Sequence, residues 1–209
     1  MGVRIGITGG IGSGKSGISG LLRVLGVPVY DCDREARRLM NEDAALREAI
    51  TALAGADAYA PDGALNRRQL AAFMFGHADR VAAVNAIVHP AVRADFRRWA
   101  EERCDHEVVA LESAILFEAG MRDDVDGVAL VYTPLEERLQ RAMARDGATE
   151  EQVRARMASQ LPDEDKLPMA DYIIRNAERD AVTPQVVHML SLLKGDLHDV
   201  RTLKNQATE

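Results

Sequence analysis

Residues 9 to 16 constrain the fold of this chain more than any other segment, because they read Gly-Gly-Ile-Gly-Ser-Gly-Lys-Ser. This spacing fits the phosphate-loop pattern, in which a glycine, four intervening residues and a second glycine precede Lys and then Ser or Thr. Glycines let successive backbone N–H groups turn toward phosphate oxygens, through dihedral angles that a Cβ disfavours. The pattern therefore predicts a nucleotide phosphate site, and the alternative is a glycine-rich turn that precedes Lys-Ser by coincidence.

Two side chains of the loop have separate expected tasks. Lys15 supplies a cation for the β- and γ-phosphates, and Ser16 offers its hydroxyl to the Mg²⁺ that accompanies ATP. The residues predicted to contact the nucleotide are Gly10, Ile11, Gly12, Ser13, Gly14, Lys15 and Ser16.

The segments on either side of the loop predict a strand before it and a helix after it. Residues 3 to 8 form a short apolar run, and apolar residues recur at helical spacing between 15 and 25. Residues 27 to 30 predict a second strand. The first 33 residues therefore predict a β-α-β unit with parallel strands and a right-handed crossover.

The rest of the chain predicts helices first and strands again later. Helical patterns dominate residues 34 to 100, and the longest of them is expected to be interrupted at Pro90. Further strands are predicted at 108–111, 127–132 and 171–174, and further helices at 135–145, 150–160 and 182–193. The predicted fold class is α/β: a three-layer P-loop NTPase/kinase fold with a five-stranded parallel sheet flanked by helices.

The same pattern predicts how one domain of 209 residues is organised. A nucleotide-binding core carries a helical insertion and a lid, and the tail after Lys194 is expected to be solvated. The predicted bounds are about 1–33, 105–137 and 171–195 for the core, about 34–104 for the insertion and about 138–170 for the lid.

Composition excludes several classes of protein. The chain has a net charge of −7 and no long basic run, which disfavours nucleic-acid and membrane-surface binding. No stretch reaches the roughly 18 apolar residues of a membrane span, and no signal peptide is visible at the N-terminus. The two cysteines have neither metal-binding nor redox spacing, so a cytoplasmic location is expected.

Asp31 and Asp33 follow the second predicted strand, at the edge of an α/β sheet where ligands bind. At strand spacing the two side chains point to one side. Phosphoryl transfer to a hydroxyl needs a carboxylate to accept or orient its proton. Asp33 is the candidate for that role, and Asp31 a candidate for supporting Mg²⁺ through water. The alternative is that Asp33 only caps the helix that follows.

Arginines point to an anionic acceptor. Residues 34 to 98 contain ten arginines, no lysine and eight acidic residues, and guanidinium groups suit bidentate contact with phosphates. Arg138, Arg141 and Arg145 recur at helical spacing, which favours a lid that brings cations to the transferring phosphoryl group. For each arginine the alternative is a solvated helix face.

The order of these motifs resembles the dephospho-CoA kinase family over about residues 3 to 193. The matching segments are Ile5–Ser16, Asp31–Asp33, Leu65–Arg68, His89–Pro90, Ile115–Glu118, Arg138–Arg145, Ser159–Gln160 and Ala170–Asn176. Gly17 departs from the family's usual Thr, and Ser113-Ala114 from its usual Pro-Leu. The first departure leaves Ser16 as the metal hydroxyl, and the second affects only packing near the acceptor.

The resemblance implies transfer of a phosphoryl group from ATP to the ribose 3′-hydroxyl of dephospho-CoA, giving CoA and ADP. It implies that Asp33 is the base, that Arg141 clamps phosphate from the lid, and that Asn176 lies near the adenine. The residues expected to contact the acceptor are Thr8, Asp33, Arg68 and His89. For His89 the alternative is a satisfied core histidine.

Other functions stay open at this stage. Another P-loop nucleoside, nucleotide or metabolite kinase would share the core but would need a smaller acceptor pocket. A nucleotide switch would carry a guanine-recognition motif, which is absent, and a scaffold would need neither Lys15 nor the aspartates. ATP and dephospho-CoA are the expected partners of a monomer or small homo-oligomer.

Overall fold

The computed structural model describes residues 2–195, which form two compact units. One unit comprises the described residues up to Tyr30 together with those from Trp99 onward, and the other is Asp31–Arg98. The tail predicted to be solvated begins after Lys194, and from position 196 onward it lies outside the described residues.

Strands and helices alternate in the first unit, whereas helices dominate the second. The strands are β1 (Val3–Thr8), β2 (Val29–Asp31), β3 (Val108–Glu112), β4 (Gly127–Tyr132) and β5 (Tyr172–Arg175). The helices are α1 (Lys15–Val24), α2 (Cys32–Glu42), α3 (Ala44–Ala54), α4 (Arg67–Met74), α5 (Ala78–Glu101), α6 (Leu135–Asp146), α7 (Glu150–Met157), α8 (Asp163–Lys166) and α9 (Val182–Gly195).

The sheet has the strand order β2-β3-β1-β4-β5, with β1 at its centre. β1 pairs in parallel with both β3 and β4, and β4 pairs in parallel with β5. The predicted five-stranded parallel sheet is confirmed. Because parallel strands end at one edge, the residues that follow β1, β3, β4 and β5 are brought together there.

One face of the sheet is covered by α1 and α9. Ile5 and Ile7 of β1 are fully buried in a cluster that includes Ile18 of α1 and Met189 of α9. Burying such side chains contributes roughly 1.5–3 kcal/mol each. The strand that precedes the phosphate loop is therefore anchored in the hydrophobic core.

The second unit is built from α2 to α5 and is held partly by arginines. Arg38 of α2 donates to Asp95 of α5 over 2.7 Å, and Arg98 pairs with the same carboxylate. Arg47 of α3 donates to the Gly63 carbonyl and stacks over the ring of Tyr59. Arg38, Arg47 and Arg98 thus have structural contacts within this unit, which neither the acceptor interpretation nor the solvated-face alternative predicted.

The predicted interruption at Pro90 is wrong, because α5 runs unbroken from Ala78 to Glu101 with Pro90 inside it. Proline removes one helical hydrogen bond and disfavours a helix interior by about 3 kcal/mol. Val84, Val88 and Phe96 are buried at helical spacing on both sides of it. That burial offsets the local cost, and sequence propensity does not include it.

The strand-spacing argument for the two aspartates is also wrong. Helix α2 begins at Cys32, and the Asp31 carboxylate caps it by accepting a 3.0 Å bond from the backbone N–H of Arg34. Asp33 lies in the first helical turn and is exposed. The cap that was considered for Asp33 therefore belongs to Asp31, and the two carboxylates are not strand neighbours.

Other element ends shift by a few residues. The last strand begins at Tyr172 instead of 171, and α7 ends at Met157, so Ser159 and Gln160 follow the helix that they were expected to occupy. The described part of the chain, residues 2 to 195, contains no helix with the length and apolar character that a membrane span requires.

Candidate functional site

The phosphate loop follows β1 at the carboxyl edge of the sheet, and α1 begins at its end. Gly12 and Gly14 have φ angles of 81° and 89°, which side chains rarely adopt. A Cβ on Gly12 would lie 2.2 Å from the Arg138 carbonyl oxygen, and one on Gly14 would lie 2.2 Å from Asn176 Nδ2. Both glycines are therefore required by dihedral angle and by space.

Helix α1 supplies the donors that suit a phosphate. The first N–H groups of a helix have no carbonyl one turn earlier, and they carry the positive end of the helix dipole. Lys15 Nζ donates to the carbonyls of Gly9 and Gly10 over 2.7 and 3.1 Å. The ammonium group thus lies along the rim of the loop, and its contact with phosphates stays a prediction.

Ser16 is joined to a carboxylate that the sequence did not single out. Its hydroxyl donates to Glu112 Oε1 over 3.0 Å, and Glu112 ends β3 with only 8% of its surface exposed. A hydroxyl beside a carboxylate is an oxygen pair that suits Mg²⁺. The available signal was an acidic residue directly after the apolar run 108–111.

The three arginines predicted to share a face of a lid helix have three different surroundings. Arg138 is buried, donates through Nε to the Ile11 carbonyl over 3.1 Å, and pairs with the buried carboxylate of Asp163. Arg145 is exposed and pairs with Asp146. Only the third, Arg141, combines partial exposure with nearness to the loop.

Arg141 and Asn176 form a polar cluster beside Gly14. Arg141 Nη1 donates to the Asn176 carbonyl over 2.8 Å, and Nη2 lies 3.3 Å from Glu137 Oε2. Asn176 Nδ2 donates to the Ser13 carbonyl over 2.8 Å. A Cβ on Gly14 would lie 3.9 Å from Arg141 Nη1, so this guanidinium borders the phosphate loop.

A buried charged cluster lies behind Arg138. Lys166 is fully buried, and its ammonium lies 3.5 Å from Glu118 Oε1 and 3.9 Å from Asp163 Oδ1. Burial raises the pKa of the Asp163 carboxyl, and the positive charges of Arg138, Lys166 and Lys15 oppose that rise. The ionised carboxylate therefore depends on its cationic neighbours.

The second unit carries the other predicted acceptor residues. Asp33 and Arg68 are exposed, in the first turns of α2 and α4. His89 is half-buried in α5, and loss of water lowers its pKa, which favours the neutral imidazole. Their contacts with a substrate remain predictions.

Thr8 is a predicted substrate contact in the first unit, at the end of β1. It is fully buried, and its hydroxyl has no hydrogen-bond partner in the part of the chain that the structure describes. Its role likewise stays a prediction.

Comparison with known proteins decides between the kinase interpretations. The family model described as dephospho-CoA kinase matches residues 3–181. This chain belongs to the dephospho-CoA kinase family. A dephospho-CoA kinase from Bacteroides fragilis is 40% identical over 205 residues, covering 98% of this chain and 100% of that protein. One from Porphyromonas gingivalis is 43% identical over 193 residues, covering 92% and 95%.

Solved structures agree with this membership. The dephospho-CoA kinase from Campylobacter jejuni superimposes with a TM-score of 0.70 at 25% identity, covering 93% of this chain and 99% of that one. A shikimate kinase from Acinetobacter baumannii shares the fold, with a TM-score of 0.53 at 17% identity. As a member of the dephospho-CoA kinase family the chain is a kinase with the P-loop fold, and the switch and scaffold interpretations are not favoured.

Proposed function

We propose that this chain transfers the γ-phosphoryl group of ATP to the ribose 3′-hydroxyl of dephospho-CoA, which is the last step of CoA formation. Family membership over nearly the whole chain carries the proposal. The phosphate loop, with its lysine and two bordering arginines, supports it. We further propose that the protein works in the cytoplasm as a monomer or small homo-oligomer.

The reaction needs a base, cations that stabilise negative charge on the phosphoryl group, and a leaving group. The 3′-hydroxyl oxygen attacks the γ-phosphorus, its proton goes to the Asp33 carboxylate, and the bond from the γ-phosphorus to the bridging oxygen breaks to release ADP. Lys15 and Arg141 stabilise negative charge on the transferring group. On the resemblance alone, Asn176 is proposed to lie near the adenine. The residues proposed to lie near the acceptor are Arg68, His89 and Thr8.

Mg²⁺ is part of the proposal as the ion that accompanies ATP. Ser16 and Glu112 would hold it, because their oxygens lie 3.0 Å apart at the end of the loop and of β3. The ion neutralises phosphate charge when bound. The Ser16 hydroxyl would be its direct ligand, and Glu112 would orient that hydroxyl by accepting its hydrogen bond.

Glu112→Gln is expected to raise the Mg²⁺ concentration for half-maximal activity by about 10- to 100-fold, the usual cost of losing a group that orients a metal ligand. The amide carries no charge and can present its N–H₂ group to the Ser16 hydroxyl. Activity is measured against total Mg²⁺ at fixed, saturating ATP and dephospho-CoA.

Glu107→Gln is the matched control, because Glu107 is exposed just before β3, at the opposite edge of the sheet. It should leave the Mg²⁺ requirement unchanged. An unchanged requirement in the Glu112 variant as well would remove this carboxylate from the metal site.

The acceptor is tested directly by ADP release. Purified protein with Mg-ATP is offered dephospho-CoA, adenosine, AMP and shikimate in separate reactions. Dephospho-CoA alone is expected to stimulate ADP release, and phosphorylated product should appear in equal amount. Stimulation by adenosine or AMP and not by dephospho-CoA would favour the nucleoside or nucleotide kinase alternative.

A further inference from the structure

Ile11, at the apex of the phosphate loop, is held through both of its backbone polar groups. Its N–H donates to Gln160 Oε1 over 3.1 Å, and its carbonyl accepts from Arg138 Nε over 3.1 Å. Its side chain packs against the apolar cluster of Leu139, Ala142 and Val153. The loop apex is thus fastened to the segment from α6 to residue 160.

The Arg138 side chain is itself held by a buried carboxylate. Its Nη1 donates to the buried Asp163 carboxylate, while Nη2 lies against Gly10, where a Cβ would be only 2.3 Å away. Each edge of the planar guanidinium therefore meets a different partner, an arrangement that lysine cannot reproduce. A solvated arginine on a helix face would need none of these contacts.

The charged groups behind the loop are two cations and two carboxylates that pair with one another. Arg138 and Lys166 are balanced by Asp163 and Glu118, and Glu118 also accepts the backbone N–H of Leu161 over 2.7 Å. Removing charges from water is costly unless each is paired. Such a cluster specifies one orientation for the guanidinium, and so one position for the Ile11 carbonyl.

We propose that Arg138, oriented by Asp163, is a positioning residue that holds the phosphate loop in its nucleotide-binding shape. This inference rests on the proposed function only in taking ATP as the ligand. Phosphate binding depends on donors that are already aimed at the ligand, because ordering them at the moment of binding lowers affinity. Arg138 acts through the Ile11 backbone, unlike Lys15, which acts on the phosphates.

The test is affinity for Mg-ADP, measured by titration calorimetry without any acceptor. Arg138→Met keeps the aliphatic stem and leaves Asp163 beside Lys166. It is expected to weaken Mg-ADP binding by about 10- to 100-fold, the effect of losing a charged hydrogen bond. In turnover, KM for ATP should rise with it, while KM for dephospho-CoA stays unchanged.

Two further variants separate positioning from charge. Arg138→Lys retains the cation and should bind Mg-ADP no better than Arg138→Met; restored affinity would overturn the proposal in favour of simple charge attraction. Asp163→Asn should weaken binding in the same way, and the double variant Arg138→Met/Asp163→Asn should be no weaker than the single ones. Additive losses would contradict an action of Asp163 through Arg138.

Asp146→Asn is the matched control, because Asp146 ends the same helix, is exposed and pairs with Arg145 and Arg156. It should bind Mg-ADP like the unchanged protein. Circular dichroism establishes that each variant is folded. If another variant is unfolded, the affinity of Arg138→Lys for Mg-ADP decides between positioning and charge attraction. Unchanged affinity in folded Arg138→Met would overturn the inference, whereas an unaltered protein that binds Mg-ADP but ignores dephospho-CoA would overturn only the proposed function.

Discussion

Asp33→Asn is expected to lower kcat by about 10²–10⁴-fold, the range that a positioned general base contributes. The amide has nearly the shape of the carboxylate but cannot take the proton of the attacking hydroxyl. KM for ATP should change little, because the phosphate loop and its lysine are untouched. Steady-state turnover with dephospho-CoA measures the loss of kcat, and calorimetry with Mg-ADP measures whether nucleotide affinity is unchanged.

The main competing explanation for Asp33 is a purely structural one, because an acidic residue in the first turn stabilises a helix by about 0.3–1 kcal/mol. Asp79 has the same place in α5, exposed in the first turn and within the same unit. Asp79→Asn therefore costs similar helix stability and should retain full turnover. If the two variants were equally active, Asp33 would have no part in the chemistry.

Lys15→Ala is expected to lower kcat by about 10²–10³-fold, a typical cost of removing one preorganised stabiliser of transition-state charge. It should also weaken ATP binding, since the proposed contact of the Lys15 ammonium with phosphate oxygens forms before as well as during transfer. Its Nζ lies 2.7 Å from the Gly9 carbonyl, already on the rim of the loop. The measurement is single-turnover phosphoryl transfer at saturating ATP, with Mg-ADP affinity alongside.

Arg23 supplies the control for Lys15, because it is an exposed cation in the last turn of the same helix. Arg23→Ala changes the net charge equally and should leave both transfer and affinity intact. A Lys15 variant that lost affinity but kept its single-turnover rate would show that Lys15 binds ATP without assisting transfer.

Short-range features of this chain were predictable from the sequence. The strand, loop and helix from Val3 to Val24 end within one residue of their predicted bounds. The dihedral angles of the loop glycines and the start of α1 depend on residues that are neighbours in the sequence, so a local sequence pattern is enough to predict them. The five-stranded parallel sheet followed from the same kind of pattern, extended over the chain.

Pro90 and the two aspartates show where local patterns fail. The α5 helix continues through Pro90 because buried apolar residues on both sides offset the missing hydrogen bond. Asp31 ends β2 and caps α2, and Asp33 enters the first turn of that helix, because α2 begins at Cys32, two residues earlier than predicted. At Pro90 the burial of neighbouring apolar side chains outweighs a helix-propensity cost of about 3 kcal/mol.

The sequence by itself determined the nucleotide loop, the class of fold and, through the order of its motifs, the family. Only the tertiary structure decided what surrounds the loop. Ser16 meets Glu112 across 96 residues, and Ile11 meets Gln160 across 149. It also separated three similar arginines into a buried anchor, a group bordering the loop and an exposed ion pair. The physical reason is that these contacts depend on which strand ends meet at one edge of the sheet, and parallel strands bring together residues that no local spacing relates.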